Sequence, residues 1–287
     1  MLCKIRFYSI CIFLCGISLI SFGSTEKADS LFDAGNYFQA SIEFEHAIFY
    51  TADRDVANVN RYKKALCYKN MADYSKAIDE LQSIYIFSIT DTLFTKVNYQ
   101  LALCYYINNQ PVNAIWKIEE FINRTKDSVA YIDFIPLKVL CHNELQEWNK
   151  AKHELQFLIE HCVNDDEKAV LATDVEKMYS KKSLPRMLKV KHAENLSRFI
   201  PGSGQMYAGK VGEGTVNLLI NASLLAFAAH QFYYRYYLTG YFAGLGMFNK
   251  VYHGGIKRAG ILAAEANNEN IKHFNQEINN LLIHVIE

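Results

Sequence analysis

The chain has 287 residues, and its 30 Lys and Arg residues match its 30 Asp and Glu residues, so the formal net charge is zero. This balance argues against a nucleic-acid-binding protein, which needs a basic surface to neutralise phosphates. Tyr and Phe are abundant, at 19 and 18 residues, and we attribute them partly to repeat packing and partly to an apolar region in the C-terminal half.

The N-terminus has the pattern of an export signal. Lys4 and Arg6 precede an almost wholly apolar run from Phe7 to Phe22, and small residues follow at the usual cleavage offsets, which predicts a signal peptide over residues 1–23. An uncleaved signal anchor is the alternative. Leu14 before Cys15 argues against a lipoprotein signal. In either case the chain from residue 26 onward is expected to be delivered across a membrane.

Four alanines recur at a step of 37 residues: Ala40, Ala77, Ala114 and Ala151. Apolar residues follow each of them at the fourth and seventh positions, which places all three on one helical face. A second amphipathic segment precedes each turn, so each unit is predicted to be helix–turn–helix. A fixed period of this length predicts a helical solenoid, an architecture whose surface usually binds a partner.

The units resemble the tetratricopeptide repeat (TPR), with Gly35-Asn36-Tyr37 and Ala72-Asp73-Tyr74 at the turns of the first two. The resemblance covers about four repeats over residues 26–163. It implies a scaffold for protein or peptide contacts, without catalytic, metal-binding or cofactor-binding residues. Candidate partner-binding residues are polar or aromatic ones on the first helices: Tyr62, Asn98 and Tyr99.

Three cysteines keep the same step of 37: Cys67, Cys104 and Cys141. Equivalent positions in stacked helix pairs are expected to lie farther apart than the roughly 7 Å limit for a disulfide. Metal ligands must converge on one point, which three parallel helices do not provide. We therefore predict that these cysteines are small, buried apolar residues.

Residues 164–198 are predicted to form a capping helix and a linker. The stretch 164–184 is rich in charged residues, and a terminal repeat needs a polar outer face. Pro185 then interrupts the helical pattern.

A glycine-rich motif and two apolar runs occupy residues 199–253. The first run, Thr215 to Tyr234, is long enough to cross a bilayer as a helix, and the second extends from Tyr236 to Phe248. Tyrosines cluster between the runs, where an interfacial aromatic belt would lie. Asn217 and Asn221 are four residues apart and are expected to hydrogen-bond across the helices.

The motif resembles the Pro-Gly-x-Gly-x-x-Tyr-x-Gly signature of small two-transmembrane domains in bacterial envelope proteins, over about residues 196–275. The motif residues are Pro201, Gly202, Gly204, Gln205, Tyr207 and Gly209. The residues assigned to packing of the membrane hairpin are Asn217, Asn221, Gly240, Gly244, Asn249, Tyr252 and Gly254. Residues 254–287 are predicted to form an amphipathic tail helix, broken or bent at residues 267–270.

The leading hypothesis is therefore an all-α, membrane-anchored, non-enzymatic scaffold of the bacterial cell envelope, whose repeats face the periplasm and bind a protein or peptide. The alternative is a membrane enzyme or transporter subunit whose Pro-Gly-Ser-Gly loop binds a lipid head group or phosphate. The residues of that alternative are Ser203, Gln205, Lys210 and His230. A third is an assembly factor whose membrane domain only concentrates the repeats at the surface.

The predicted topology contains a conflict. The export signal places the repeats and the base of the hairpin outside the cytoplasm, but most Lys and Arg residues near the hairpin lie at that base, against the positive-inside rule. A shallow hairpin that does not span the membrane would resolve it.

Overall fold

The computed structural model describes residues 25–86, 88, 92–126 and 128–286, with the side chains of residues 128, 129 and 286 left out. Every regular element in this part of the chain is helical, so the predicted all-α class is confirmed there. The predicted signal peptide, residues 1–23, lies outside the described residues. The chain divides into two compact units, with the boundary between Val175 and Glu176.

The first unit consists of successive helices, of which the second to the seventh each pack against the next in chain order. They are α1 (25–33), α2 (Tyr37–Tyr50), α3 (Arg54–Asn70), α4 (Tyr74–Gln82), α5 (Thr92–Ile107), α6 (Pro111–Thr125), α7 (Ser128–Glu144), α8 (Trp148–Cys162) and α9 (Asp165–Met178). The odd-numbered helices α3, α5 and α7 also contact one another in succession. They therefore form one continuous layer of the unit.

The period of 37 has a direct packing explanation. Each periodic alanine, on α2, α4, α6 or α8, is completely buried, and each periodic cysteine lies on the helix that follows. The resulting clusters join Cys67 to Ala40 and Phe44, Cys104 to Ala77 and Leu81, and Cys141 to Ala114, Ile118 and Phe121. Small residues let the helices approach, and the larger ones fill the space beside them. The burial predicted for the three cysteines is confirmed.

The turns within the helix pairs share one backbone conformation. Gly35, Ala72, Asn109 and Gln146 again differ by 37, and their φ angles are 78°, 58°, 58° and 60°. The next residue donates its N–H to a carbonyl five residues earlier in each case, as Asp73 does to Tyr68 at 2.9 Å. This is the Schellman ending of a helix, which requires a left-handed residue. Glycine occupies it in the first turn alone among these four.

The predicted capping helix corresponds to α9, whose first turn is acidic and therefore complements the helix dipole. The linker predicted to extend to residue 198 is shorter than expected, because α10 (Val190–Phe199) begins within it. Ala193 and Ser197 of α10 are buried, so this helix belongs to the packed structure of the second unit.

The second unit continues through α11 (Ser203–Tyr207), α12 (Val211–Tyr233), α13 (Tyr237–Thr239), a π-helical turn (Gly240–Leu245) and α14 (Gly246–Ile286). The last three follow one another without interruption, and we call residues 237–286 the second helix. Residues 211–258, which contain α12 and the facing part of the second helix, are called the hairpin.

The predicted break at residues 267–270 is wrong, because α14 continues through them. Asn267 exchanges two hydrogen bonds with the backbone of Leu188, at 2.6 and 2.9 Å, and Asn270 donates to the carbonyl of Arg186 at 2.9 Å. These amides thus bind another segment instead of competing for their own helix backbone.

Candidate functional site

A groove on the first unit lies between α1, α3 and α5, with a volume of about 710 Å³. Its walls combine aromatic and aliphatic side chains with several charged ones. The lining residues are Asp29, Phe32, Asp33, Asp55, Asn58, Val59, Tyr62, Lys63, Leu66, Ile86, Thr92, Leu93 and Lys96. All three helices are first helices of their pairs, the position at which the sequence predicts partner binding.

The groove contains both satisfied and unsatisfied charges. Lys63 Nζ lies 2.7 Å from both carboxylate oxygens of Asp29. Among the described residues, neither Asp33 nor Asp55 forms an ion pair. Tyr62 is half-buried, and burial raises the pKa of its hydroxyl, so it remains a neutral donor. A bound segment could therefore meet apolar walls, a phenol and unpaired carboxylates.

The three predicted partner-binding residues do not lie together. Tyr62 lines the groove. Asn98 is 4% exposed and donates to the carbonyl of Phe94 at 2.6 Å, and Tyr99 packs its ring edge-on against Phe134 at 5.4 Å. The helical spacing from Tyr62 back to Asp55 and forward to Leu66 could have identified the groove from the sequence. The contribution of α1 could not, since it depends on tertiary packing.

Two buried lysines form equivalent clusters in the first unit. Lys64 lies 2.6 Å from Glu45 and 2.5 Å from Glu80, and Lys138 lies 4.0 Å from Glu119 and 2.9 Å from Glu154. Each residue of the second cluster follows its counterpart by 74 positions, or two repeats. Leu101 occupies the position between the two lysines. A comparison of charged residues two repeats apart would have revealed these clusters in the sequence.

In each cluster the lysine ammonium pairs with two glutamate carboxylates, which favours a structural role. Burial alone would lower the pKa of the Lys64 ammonium, but the hydrogen bonds with Glu45 and Glu80 outweigh it and the pKa is raised. Tyr131 donates its hydroxyl to Glu154 in the other cluster. The described residues contain no group of three or more His, Cys, Asp or Glu side chains placed to hold a metal ion.

The thiols of the repeats are poorly suited to chemistry. Burial raises the pKa of the Cys67 and Cys141 thiols to about 12 and that of Cys104 to about 11. The reactive thiolate is therefore scarce at neutral pH.

In the second unit, the glycines of the motif allow backbone segments to touch. A Cβ atom added to Gly202 would lie 2.0 Å from the carbonyl oxygen of Gly214, and one added to Gly204 would lie 1.9 Å from that of Ala193. Gly202 and Gly209 have φ angles of 90° and 83°, which favour glycine. Pro201 leads into this turn. Tyr207 is half-buried and packs edge-on against His192 of α10, at 5.1 Å.

A buried amide network connects the motif to the hairpin. Asn217 donates to Gln205 Oε1 at 2.9 Å, and Asn221 donates to Asn217 Oδ1 at 2.7 Å. A Cβ atom on Gly255 of α14 would lie only 2.3 Å from Asn217 Nδ2. Asn217 thus faces the second helix as expected, but the side chains of the two asparagines bond to the motif and to each other.

Glycines also bring the two helices of the hairpin together near its turn. A Cβ atom on Gly244 would lie 2.6 Å from Ala228 Cβ, and Gly240 lies beside Gln231. Tyr252 donates its hydroxyl to the carbonyl of Arg198 at 2.7 Å. Asn249 and Gly254, also assigned to packing, are exposed, and a Cβ atom on Gly254 would meet nothing within 4 Å. Those two assignments are wrong.

Large apolar side chains cover the outside of the hairpin. Leu219, Tyr233, Leu238 and Phe242 are 60%, 82%, 76% and 69% exposed. One described helix, Val211–Tyr233, is long and apolar enough to cross a membrane, and only 22% of its most apolar stretch is buried. An exposed apolar surface of this kind indicates a membrane or a partner.

The residues of the phosphate-binding alternative are not brought together. Ser203 donates its hydroxyl to the carbonyl of Ile200 at 2.7 Å. The side-chain oxygen of Gln205 already accepts a hydrogen bond from Asn217. Lys210 and His230 lie near opposite ends of α12, about 30 Å apart at the rise of an α-helix.

Comparison with protein-family models, with curated proteins and with solved structures finds no match.

Proposed function

We propose that this protein is a membrane-anchored, non-catalytic scaffold of the bacterial cell envelope, with a TPR-like solenoid in the periplasm that binds an extended protein or peptide segment. The observation that carries the membrane part is the hairpin, which has glycine, alanine and asparagine inside and large apolar residues outside. Helix pairs that pack in lipid use small and amide residues in this way. The export-signal pattern at the N-terminus supports the periplasmic location.

The groove between α1, α3 and α5 supports the binding part of the proposal. Its volume is about 710 Å³, and Phe32, Tyr62 and Leu66 offer apolar contacts to a bound segment. The groove is lined by three aspartates and two lysines, and the unpaired Asp33 and Asp55 therefore favour a segment with a basic side chain.

Photocrosslinking in intact cells tests the binding. A photoreactive phenylalanine analogue at Tyr62 should trap a discrete partner, whereas the same analogue at Trp116 should not, because Trp116 is exposed on α6 outside the groove. Asp55→Lys should abolish the product from position 62. Equal crosslinked products from both positions, or none from position 62, would remove the groove as the binding site.

Extraction of membranes with carbonate tests the anchoring separately. An anchored chain should stay with the membranes, whereas a peripheral protein is released.

A further inference from the structure

The charges along the hairpin leave too little apolar length on the second helix for it to cross a bilayer. On α12 about 21 residues separate Glu213 from Arg235, a length of about 31 Å. On the second helix only about 14 residues separate Arg235 from Lys250, or about 21 Å. The hydrocarbon core is about 30 Å thick.

The helix contacts fix the height of Lys250 along the hairpin. Gly244 lies opposite Ala228, and Gly255 lies opposite Asn217, so Lys250 lies opposite the middle of α12. It is exposed, and within the described residues it forms no ion pair. A hairpin inserted end-on across the whole bilayer would place this ammonium near the centre of the hydrocarbon. One inserted halfway would place Arg235 there instead.

Three basic side chains in the lower half of the hairpin share a side of the second helix. Lys250, His253 and Lys257 are three and four residues apart, as residues on one helical face are, and all three are exposed. On α12 the exposed Val216, Ile220 and Phe227 form an apolar face by similar spacing. Lys250 and Lys257 therefore place cations on the second helix, whereas α12 has no Asp, Glu, Lys or Arg residue between Glu213 and its end at Tyr233.

Building on the proposed membrane anchoring, we propose that the hairpin lies in the plane of the membrane interface, with its apolar residues in the acyl region and Lys250, His253 and Lys257 against anionic phospholipid headgroups. This orientation puts Arg235 and the neighbouring exposed tyrosines at headgroup depth, where aromatic residues with a polar tip are favoured. It needs no charge to cross the bilayer, so it removes the conflict between the export signal and the positive-inside rule.

Binding of the purified full chain to preformed vesicles tests the orientation, because the two orientations predict opposite changes in vesicle affinity for one substitution. With vesicles of phosphatidylcholine containing 30% phosphatidylglycerol, Lys250→Gln should weaken binding about fivefold, since each cation near an anionic surface contributes about that factor. Lys272→Gln, farther along the same helix, is the matched control and should change binding by less than twofold. If Lys250→Gln strengthens binding, the lysine enters hydrocarbon and the in-plane orientation is wrong.

Labelling of the hairpin turn provides an independent test. Tyr234→Cys and Tyr236→Cys variants on intact vesicles should react with a membrane-impermeant maleimide as fully as Lys210→Cys, with the yield at each residue measured by mass spectrometry. Protection of both turn positions until detergent is added would overturn the proposal and establish a spanning hairpin. Failure of the wild-type chain to float with either pure phosphatidylcholine or mixed vesicles would instead overturn the membrane anchoring itself.

Discussion

Phenylalanine rings fill the interior of the repeat unit, whereas small residues and amides fill the interior of the hairpin. Phe44, Phe121 and Phe134 are fully buried between the repeat helices. The interior of the hairpin instead contains Gly244, Ala228 and the asparagines at 217 and 221. Both regions are helical throughout their described elements, so secondary structure alone does not distinguish them.

The difference shows how the surroundings decide what holds two helices together. In water, burial of large apolar groups supplies the driving force, at about 25 cal/mol for each Å² removed from solvent. Next to lipid that force is absent between helices, and close backbone approach with interhelical hydrogen bonds replaces it. The core of the first unit matches the former condition, and under the proposed membrane anchoring the interior of the hairpin matches the latter.

The strongest test of this comparison removes a phenylalanine from each region. Phe121→Ala should lower the free energy of unfolding by about 3–5 kcal/mol, because the ring stacks on Phe134 at 4.7 Å in a closed cluster. Phe242→Ala, in the exposed part of the hairpin, should change it by less than about 0.5 kcal/mol. Urea unfolding in mild detergent, followed by circular dichroism, measures both. Equal losses would contradict the comparison.

Adjacent glycines on α14 test the close approach in the hairpin. Gly255→Ala should destabilise the chain by about 1–3 kcal/mol, since the new methyl group would displace Asn217 from its hydrogen bonds. Gly254→Ala meets open space and should stabilise the helix by up to about 1 kcal/mol. Thermal unfolding of the two variants compares them directly. Shifts of the unfolding temperature in the same direction for both variants would mean that the close approach of Gly255 to α12 does not contribute to stability.

The smallest expected effect concerns the repeat turns. Ala72→Gly should stabilise the chain by about 0.5–1 kcal/mol, because Ala72 holds a φ of 58° that costs an L-residue energy. Ala169→Gly, at an exposed position inside α9, should have the opposite sign and about the same size. Midpoints of urea unfolding determine both values. A loss of stability in Ala72→Gly would show that the left-handed turn is not under strain.

Much of the repeat unit could be predicted from the sequence, because its spacing repeats and each repeat meets the same neighbours. The burial of Cys104 follows from the step of 37 alone. The groove was only partly predictable. Tyr62 was found, but Asn98 faces inward, since one residue changes the direction of a helical side chain by about 100°.

The sequence by itself determined the helical class, the period and the apolar character of α12, because each depends on residues close together in the chain. Only the tertiary structure decided the continuity of α14, the link from Gln205 to Asn217, and the height of Lys250 opposite α12. Those features depend on which distant segments meet. Asn267 illustrates the reason: its amide favours a turn locally, but two hydrogen bonds with Leu188 hold it inside a helix.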